Sequence, residues 1–275
     1  MSIPILTYHP MRIHGTDYAS NDLVALAADL YILSELGLEI RPLHEVVAQW
    51  LASPTALDAR PVVALTCDDG SDFDARDLPH PTWGVQRSVL GILSDYRQRH
   101  AASQPGLHIT SFVIASPAAR AELDRTCMAG LGWWNETWWC EALASGLMDI
   151  GNHSWDHNHE TLERPCEGLA RPTGTFKSVD SLAAAEFEIR QADEYLRTRA
   201  PNPGNGLFAY PYGETNRYLF QEYLPGYRGP DAAFTTEPES LTPNADRWRM
   251  PRFMCGRDWK SPQELREILK KARAA

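Results

Sequence analysis

Short apolar runs alternate along this chain with segments whose apolar residues recur every three or four positions. Val62–Leu65 is a run rich in β-branched residues between Pro61 and Gly70, which indicates a strand buried on both faces. Similar patterns predict strands at Ile3–Thr7, His108–Ile114, Asp149–Asn152, Ala232–Thr235 and Met250–Met254, and a strand end that turns at proline in Phe208–Gly213. Helical spacing predicts helices at Asn21–Leu36, Leu43–Leu51, Val85–Arg99, Asn135–Gly146, Ser181–Arg199 and Ser261–Ala272, with another starting near Asn216.

This alternation of strands and helices favours an α/β fold. Repeats and low-complexity linkers are absent from the sequence. We therefore expect residues 1–275 to form a single barrel-like α/β catalytic domain rather than two domains.

Composition narrows the classes of partner. The 275 residues carry a net charge of −10 with a pI near 5.4, which argues against nucleic acid or an anionic membrane as a partner. The sequence has no apolar run of membrane-spanning length and no signal-peptide pattern at its N-terminus. Its five cysteines are widely spaced and odd in number, which predicts a reduced protein without a disulfide framework. Together these features predict a cytoplasmic location unless a signal has been removed.

Two adjacent carboxylates, Asp68 and Asp69, follow the central strand, and Gly70 allows the chain to turn after them. In parallel α/β folds, chemistry collects at the carboxyl ends of strands. Neighbouring side chains on an extended segment point in opposite directions, so that one aspartate can hold a metal while the other handles protons. The alternative is an Asp-Asp-Gly turn with solvated carboxylates.

A second candidate site is the histidine-rich segment Gly151–His159. His153 and His157 are spaced so that both can converge on one metal, and His159 is a third candidate. Two imidazoles and one carboxylate with an open position are typical of a catalytic metal site. A surface histidine cluster without a metal is the alternative.

With a third segment, Phe208-Ala-Tyr-Pro-Tyr-Gly213, these motifs resemble the polysaccharide deacetylase family, the NodB-homology carbohydrate esterases. Thr66-Cys-Asp-Asp-Gly70 is similar to the family's TFDDG motif, and His153-Ser-Trp-Asp-His157 matches its second motif. The resemblance implies a distorted (β/α) barrel of about seven strands. It implies that a divalent metal binds Asp69, His153 and His157, that Asp68 is the general base and that the backbone N–H of Tyr212 stabilises the oxyanion. Zinc is the expected metal, with cobalt, nickel and manganese as alternatives.

The chain departs from the family pattern at two places. Ala209 replaces an arginine that orients the base, and no histidine lies beyond His159 to supply the usual general acid. Leu6-Thr-Tyr-His9 resembles the N-terminal Tyr-His of a permuted branch that acts on β-1,6-linked N-acetylglucosamine polymers, which implies that His9 is the acid. Arg249-Met-Pro-Arg252 resembles the family's late Arg-x-Pro-Arg strand in members with the same alanine-tyrosine-proline motif, which implies that Arg252 contacts Asp68. The alternatives are an ordinary histidine at a barrel end and an ordinary surface arginine.

The predicted function is metal-dependent hydrolysis of an N-acetyl group on an N-acetylated carbohydrate. Hydrolysis of another non-peptide C–N bond, such as that of a small amide, and non-catalytic carbohydrate binding are the alternatives. Substrate contacts are expected from Trp155, Tyr210 and Pro211, although core packing is the commoner role of such aromatic residues. The lack of a secretion signal favours a soluble glycan precursor, a nucleotide- or lipid-linked sugar, or a small amide. The sequence indicates no oligomeric state.

Overall fold

Parallel strands form the centre of the molecule. The computed structural model describes residues 2–54, 61–162, 171–227 and 229–274. Its main sheet contains β1 (Ile5–Tyr8), β2 (Glu39–Ile40), β3 (Val62–Asp69), β6 (Ile109–Val113), β7 (Met148–Asn152), β8 (Leu207–Ala209), β9 (Ala232–Phe234) and β10 (Phe253–Met254). A separate antiparallel hairpin consists of β4 (Leu78–His80) and β5 (Gly84–Gln86).

The sheet runs in the order β10-β1-β3-β6-β7-β8-β9, with β2 paired to the start of β3, and every pairing in it is parallel. Met250 closes the ring, because it forms a parallel bridge with Phe234 just before the chain enters β10. Its N–H donates to the Ala233 carbonyl at 2.8 Å, and its own carbonyl accepts from Thr235 at 2.9 Å. The seven strands along this path therefore curl into a barrel, which confirms the predicted strand number and fold class.

Helices surround the strands. They are α1 (Asp22–Glu35), α2 (Leu43–Ala52), α3 (Val89–His100), α4 (Pro117–Cys127), α5 (Trp139–Ala144), α6 (Leu182–Ala185), α7 (Gln191–Arg199), α8 (Leu224–Tyr227) and α9 (Pro262–Ala274). A π-type turn, Glu186–Arg190, joins α6 to α7 without a break. The predicted helix over 181–199 is therefore present, with one widened turn in its middle.

Three local predictions need correction. Val85 belongs to β5, and α3 begins only at Val89 because the Ser88 hydroxyl caps it by accepting from the Gly91 N–H. Helix α5 begins at Trp139 rather than near Asn135, whose side chain instead bonds Asp72. Helix α4 was not predicted at all, since few of its residues are apolar.

The central strand β3 has two different buried faces. Val62 and Ala64 pack in the barrel interior against side chains such as Phe112 and Phe234, while Val63 and Leu65 pack outward against the helices. This alternation confirms that the strand is buried on both sides. It also places Asp68 at the end of the series of residues that face the barrel interior, and Asp69 at the end of the series that faces outward.

Among the residues described, none of the helices is both long enough and apolar enough to cross a bilayer. Four of the cysteines, Cys67, Cys127, Cys140 and Cys255, are free thiols. The fifth, Cys166, lies outside the described residues.

Candidate metal and catalytic site

Asp68 meets a buried arginine at the end of the barrel interior. The Arg252 guanidinium donates to both carboxylate oxygens of Asp68 at 2.8 Å, in a bidentate ion pair. Burial alone would raise the pKa of Asp68, but the charge of Arg252, supported by His153 and His9, holds that pKa below its usual value. The structure thus brings Arg252 into the predicted contact and keeps Asp68 ionised, as a general base requires.

The chain turns sharply at Asp69. Its φ of +77° lies in the left-handed region, which is rare for a residue with a side chain, and Gly70 follows at +74°. A Cβ at Gly70 would lie 2.4 Å from Cγ1 of Val113, so only glycine fits there. The indole N–H of Trp134 donates to the Asp69 carbonyl at 3.0 Å and braces the turn. Sequence analysis did not assign Trp134 a place in the site.

Two histidines reach the Asp69 carboxylate from the loop after β7. Nε2 of His153 lies 3.5 Å and Nε2 of His157 lies 3.6 Å from Oδ1 of Asp69. One ligand atom from each of these three residues lies within 4.8 Å of the other two. The structure therefore assembles the three predicted metal ligands in one place.

The protonation of these side chains fits a divalent cation. His153 bonds the Ala209 carbonyl through Nδ1 at 2.8 Å, so Nδ1 carries a proton and Nε2 is the nitrogen that faces Asp69. Burial and the neighbouring His153 lower the pKa of His157 to about 3, which keeps that imidazole neutral. Although burial opposes it, Asp68 and Asp69 raise the pKa of His153, a sign that this position attracts positive charge. Two imidazoles and a carboxylate are the donors expected of a catalytic zinc site.

The histidine loop is supported from behind by the π-type turn. The Trp155 N–H donates to the Glu188 carbonyl at 2.8 Å, and the Asp156 N–H lies 3.4 Å from the Glu188 carboxylate. Arg171 forms an ion pair with that carboxylate, which is completely buried. Sequence analysis missed Glu188, because a polar residue in a helix gives no signal that it faces inward.

His9 lies at the end of β1, beside the aspartates. The parallel register pairs Tyr8 with Cys67, so His9 follows at the level of Asp68. Its charge helps lower the pKa of both Asp68 and Asp69, which shows how close it lies to them. The N–H of His9 donates to the Asp22 carboxylate at 2.8 Å and fixes the backbone there. The structure therefore places His9 next to the two aspartates.

Tyr212 and His159 flank the histidine pair. Tyr212 has a φ of +60°, and its ring centroid lies 4.5 Å from that of His157. His159 lies outside the group of ligand atoms formed by Asp69, His153 and His157; its Nδ1 bonds the Thr161 hydroxyl at 3.0 Å and its Nε2 lies 3.9 Å from Sγ of Cys127. Tyr212 thus borders the site, while His159 is not a third histidine ligand.

The three predicted substrate contacts are not supported. Tyr210 is completely buried and its hydroxyl donates to the Trp248 carbonyl at 2.9 Å, while Pro211 is buried in the turn that follows. Trp155 packs edge-on against the rings of Phe187 and Tyr195. The expectation that the side chains of Tyr210 and Pro211 touch substrate is therefore wrong, and the contacts of Trp155 are those of a packing residue.

Cys67, in the family's phenylalanine position, is a buried thiol. Its Sγ donates to the Asp74 carboxylate at 3.3 Å, and the Ser111 hydroxyl donates to the same oxygen at 2.6 Å. Burial raises the pKa of Asp74 to about 7. The thiol thus gives this buried carboxylate a hydrogen-bond donor that a phenylalanine ring lacks.

Comparison with known proteins agrees with this geometry. The sequence model described as polysaccharide deacetylase matches residues 57–224. The poly-β-1,6-N-acetyl-D-glucosamine N-deacetylase of Staphylococcus epidermidis is 28% identical over 119 residues, which make up 43% of this chain and 37% of that protein. The chain thus matches little more than a third of the length of this curated relative.

Solved structures of similar fold cover nearly the whole chain. The Streptococcus pyogenes deacetylase PplD, solved in complex with acetate, has a TM-score of 0.64 at 19% identity and covers 98% of each chain. IcaB from Ammonifex degensii has a TM-score of 0.63 at 18% identity, covering 98% of this chain and 97% of its own. At such identities the likeness shows the fold, the NodB-type barrel. The family model matches more than half of the residues of this chain, and this chain therefore belongs to the polysaccharide deacetylase family.

Proposed function

We propose that this protein is a metal-dependent hydrolase that removes N-acetyl groups from an N-acetylated glycan. The observation that carries the proposal is the difference in partners between Asp68 and Asp69: Asp68 is paired with Arg252, while Asp69 faces two imidazole nitrogens. Family membership and the activity named for the S. epidermidis relative support it.

Asp69, His153 and His157 would hold the metal, and zinc suits this set of nitrogen and oxygen donors. A bound divalent ion supplies Lewis-acid chemistry, since it polarises a carbonyl and makes water more acidic. Asp68 remains free of the ligand set and accepts the proton of the attacking water. Arg252 keeps Asp68 ionised and fixes its orientation through the two hydrogen bonds.

Two further groups complete the reaction. His9 donates a proton to the leaving amine, because it lies at the end of β1 beside Asp68 and histidine is the side chain most often used for proton transfer in enzymes. The backbone N–H of Tyr212 donates to the oxyanion that forms on the acetyl carbonyl. The left-handed conformation of Tyr212 beside His157 supports this role, because strained backbone of this kind collects at functional sites.

Hydrolysis of another C–N bond uses the same residues and is the second candidate. A silent carbohydrate-binding protein has no use for an ionised base held by a buried arginine, and the pairing of Asp68 with Arg252 argues against it.

Acetate release from N-acetylglucosamine oligomers tests the proposal. We expect release by the zinc-loaded protein, loss of release after chelation and recovery on adding metal back. His9→Gln should lower kcat by roughly 100-fold or more while metal content stays unchanged. Zinc-loaded protein that releases no acetate from any N-acetylated sugar would overturn the proposal.

A further inference from the structure

A groove of about 340 Å³ is lined by the segments that follow β1 and β3 and by the end of α4. We call it the Trp133 groove. One wall comes from the segment after His9, the second from the turn after Asp69 and the tip of the β4–β5 hairpin, and the third from the end of α4 and the loop that follows it. The residues that matter below are Ile13, Phe73, His80, Met128 and Trp133.

Several contacts tie this groove to the site. Trp133 precedes Trp134, whose indole bonds the Asp69 carbonyl, and its ring packs edge-on against Phe73 at 5.6 Å. At the end of α4, Sγ of Cys127 lies 3.9 Å from Nε2 of His159, next to the histidine pair. A substrate with its acetamide at the metal ligands can therefore extend into the groove.

The lining suits a sugar ring that carries an acetamide. Trp133 is half-buried, and the indole ring of such a side chain can stack on the apolar C–H face of a pyranose. Ile13 and Met128 provide apolar surface for a methyl group.

The hydrogen bonds of His80 fix its tautomer and so determine which ring nitrogen can donate. Its Nδ1 accepts from the N–H groups of Thr82 and Trp83, each at 3.2 Å, so the proton of the neutral ring lies on Nε2. Burial and the nearby His14 lower the pKa of His80, which favours the neutral form. Among the described residues, none forms a hydrogen bond with Nε2 of His80. This N–H is therefore available to a carbonyl oxygen.

The charge of the lining residues further restricts the class of ligand that the groove can bind. Among the described residues that line the groove there is no Lys, Arg, Asp or Glu. An anionic nucleotide diphosphate would meet no cation there, and an ammonium group would meet no carboxylate. The groove therefore favours an uncharged ligand.

We propose that the Trp133 groove binds an N-acetylated sugar unit next to the one being deacetylated, with Trp133 stacked on its ring and His80 donating to its acetyl carbonyl. The inference rests on the proposed function and specifies its substrate as an oligosaccharide with an intact neighbouring acetamide. Because a free amine in the groove loses these contacts and carries an unpaired charge, a unit beside an already deacetylated one is a poorer substrate.

Calorimetric titration of the zinc-loaded Asp68→Asn protein, in which turnover is blocked, measures this recognition directly. The probes are the di-N-acetylated glucosamine disaccharides and their mono-N-acetylated forms. We expect the diacetylated sugar to bind about tenfold more tightly, which corresponds to one hydrogen bond. His80→Asn should remove that preference, since an asparagine side chain can still accept from the Thr82 and Trp83 N–H groups but offers no donor at the Nε2 position.

Trp133→Ala should weaken binding of both sugars, and Trp83→Ala is the matched control. Trp83 is an exposed tryptophan on the same hairpin, but it lines a different cavity, between α1 and α3. Equal affinity for the two sugars, no effect of His80→Asn, or an equal loss in Trp83→Ala would overturn the inference. If acetate is still released from N-acetylated sugars in that case, the proposed function survives alone; if it is not, both fail.

Discussion

Asp68 and Asp69 are neighbours in the sequence, but their side chains have different partners. Asp68 ends the inward-facing series of β3 and meets the guanidinium of Arg252, while Asp69 turns out of the strand at a positive φ toward two imidazoles. Strand geometry separates their directions, and their partners suit them to the proposed roles of proton acceptor and metal ligand.

Replacing Arg252 with methionine tests the base. The variant removes the charge that lowers the pKa of Asp68, so burial should raise that pKa and Asp68 should protonate at a higher pH. We expect the acidic limb of the kcat/KM profile to move to higher pH by about one unit or more. Arg252→Lys keeps a charge and should move the limb less; an unchanged limb in Arg252→Met contradicts the assignment.

The sequence motifs predicted which residues form the candidate site, but they did not predict which aromatic side chains are exposed there. Asp68, Asp69, His153 and His157 could be predicted because their chemistry is carried by residue type and spacing. The burial of Tyr210 could not, since the direction of an aromatic side chain depends on which elements pack behind it. For the same reason, the sequence did not reveal the hydrogen bond from Trp134 to the Asp69 carbonyl.

At the scale of elements, the loop between α4 and α5 acts as a brace for the turn that carries Asp69. The carboxylate of Asp72 accepts from the backbone and side-chain N–H groups of Asn135, and the Asp72 N–H donates to the Trp133 carbonyl at 2.8 Å. With the Trp134 bond, these contacts hold the turn after β3 against the loop. Positioning of Asp69 thus depends on a segment more than 60 residues away in the sequence.

Trp134→Phe should weaken metal binding without abolishing folding. It keeps most of the buried ring but removes the N–H bonded to the Asp69 carbonyl, and we expect zinc affinity to fall about tenfold. Trp138→Phe is the matched control, because the indole N–H of Trp138 is buried with no partner among the described residues. Competition titration with a chelator measures both, and equal affinities in the two variants contradict the bracing role.

Element boundaries show where pattern reasoning ends. The Ser88 cap decides that α3 starts at Val89, although the apolar spacing extends back to Val85. Helix α4 has an apolar face of little more than Ala119 and Leu123, too weak a pattern to predict. Strands were easier to predict, since burial on both faces leaves continuous apolar runs.

At the scale of the whole molecule, barrel closure brings Arg252 into contact with Asp68. Arg252 lies 184 positions from Asp68, and it reaches Asp68 because residues 250–254 join β9 to β1. The resemblance pointed to Arg252, but the spacing of residues alone gives no indication of such a closure. That the chain forms a single catalytic domain remains a proposal.

The start of β7, away from the catalytic end, carries an independent ionic cluster. Asp149 lies 2.7 Å from Nδ1 of His44 and 3.6 Å from Nε2 of His108. Burial would raise the pKa of Asp149, but its hydrogen bonds with His108 and His44 lower it to about 2. Because the pKa is depressed in the folded state, this stabilisation is present above the unfolded value of about 3.9 and is lost as pH falls toward 2.

Asp149→Asn should therefore flatten the dependence of unfolding free energy on pH between about 4 and 2, with a stability loss on the order of 1–2 kcal/mol at pH 5. Denaturant unfolding at a series of pH values measures it. The metal affinity of the folded variant should be unchanged, and a slope equal to that of the wild type would show that the cluster contributes nothing.

The division of labour between the two aspartates is tested most directly by measuring zinc stoichiometry and acetate release together in Asp68→Asn and Asp69→Asn. We predict that Asp68→Asn binds one zinc per chain yet loses acetate release by roughly 100-fold or more, whereas Asp69→Asn loses both. Loss of zinc in Asp68→Asn, or wild-type acetate release by either variant, would contradict the account.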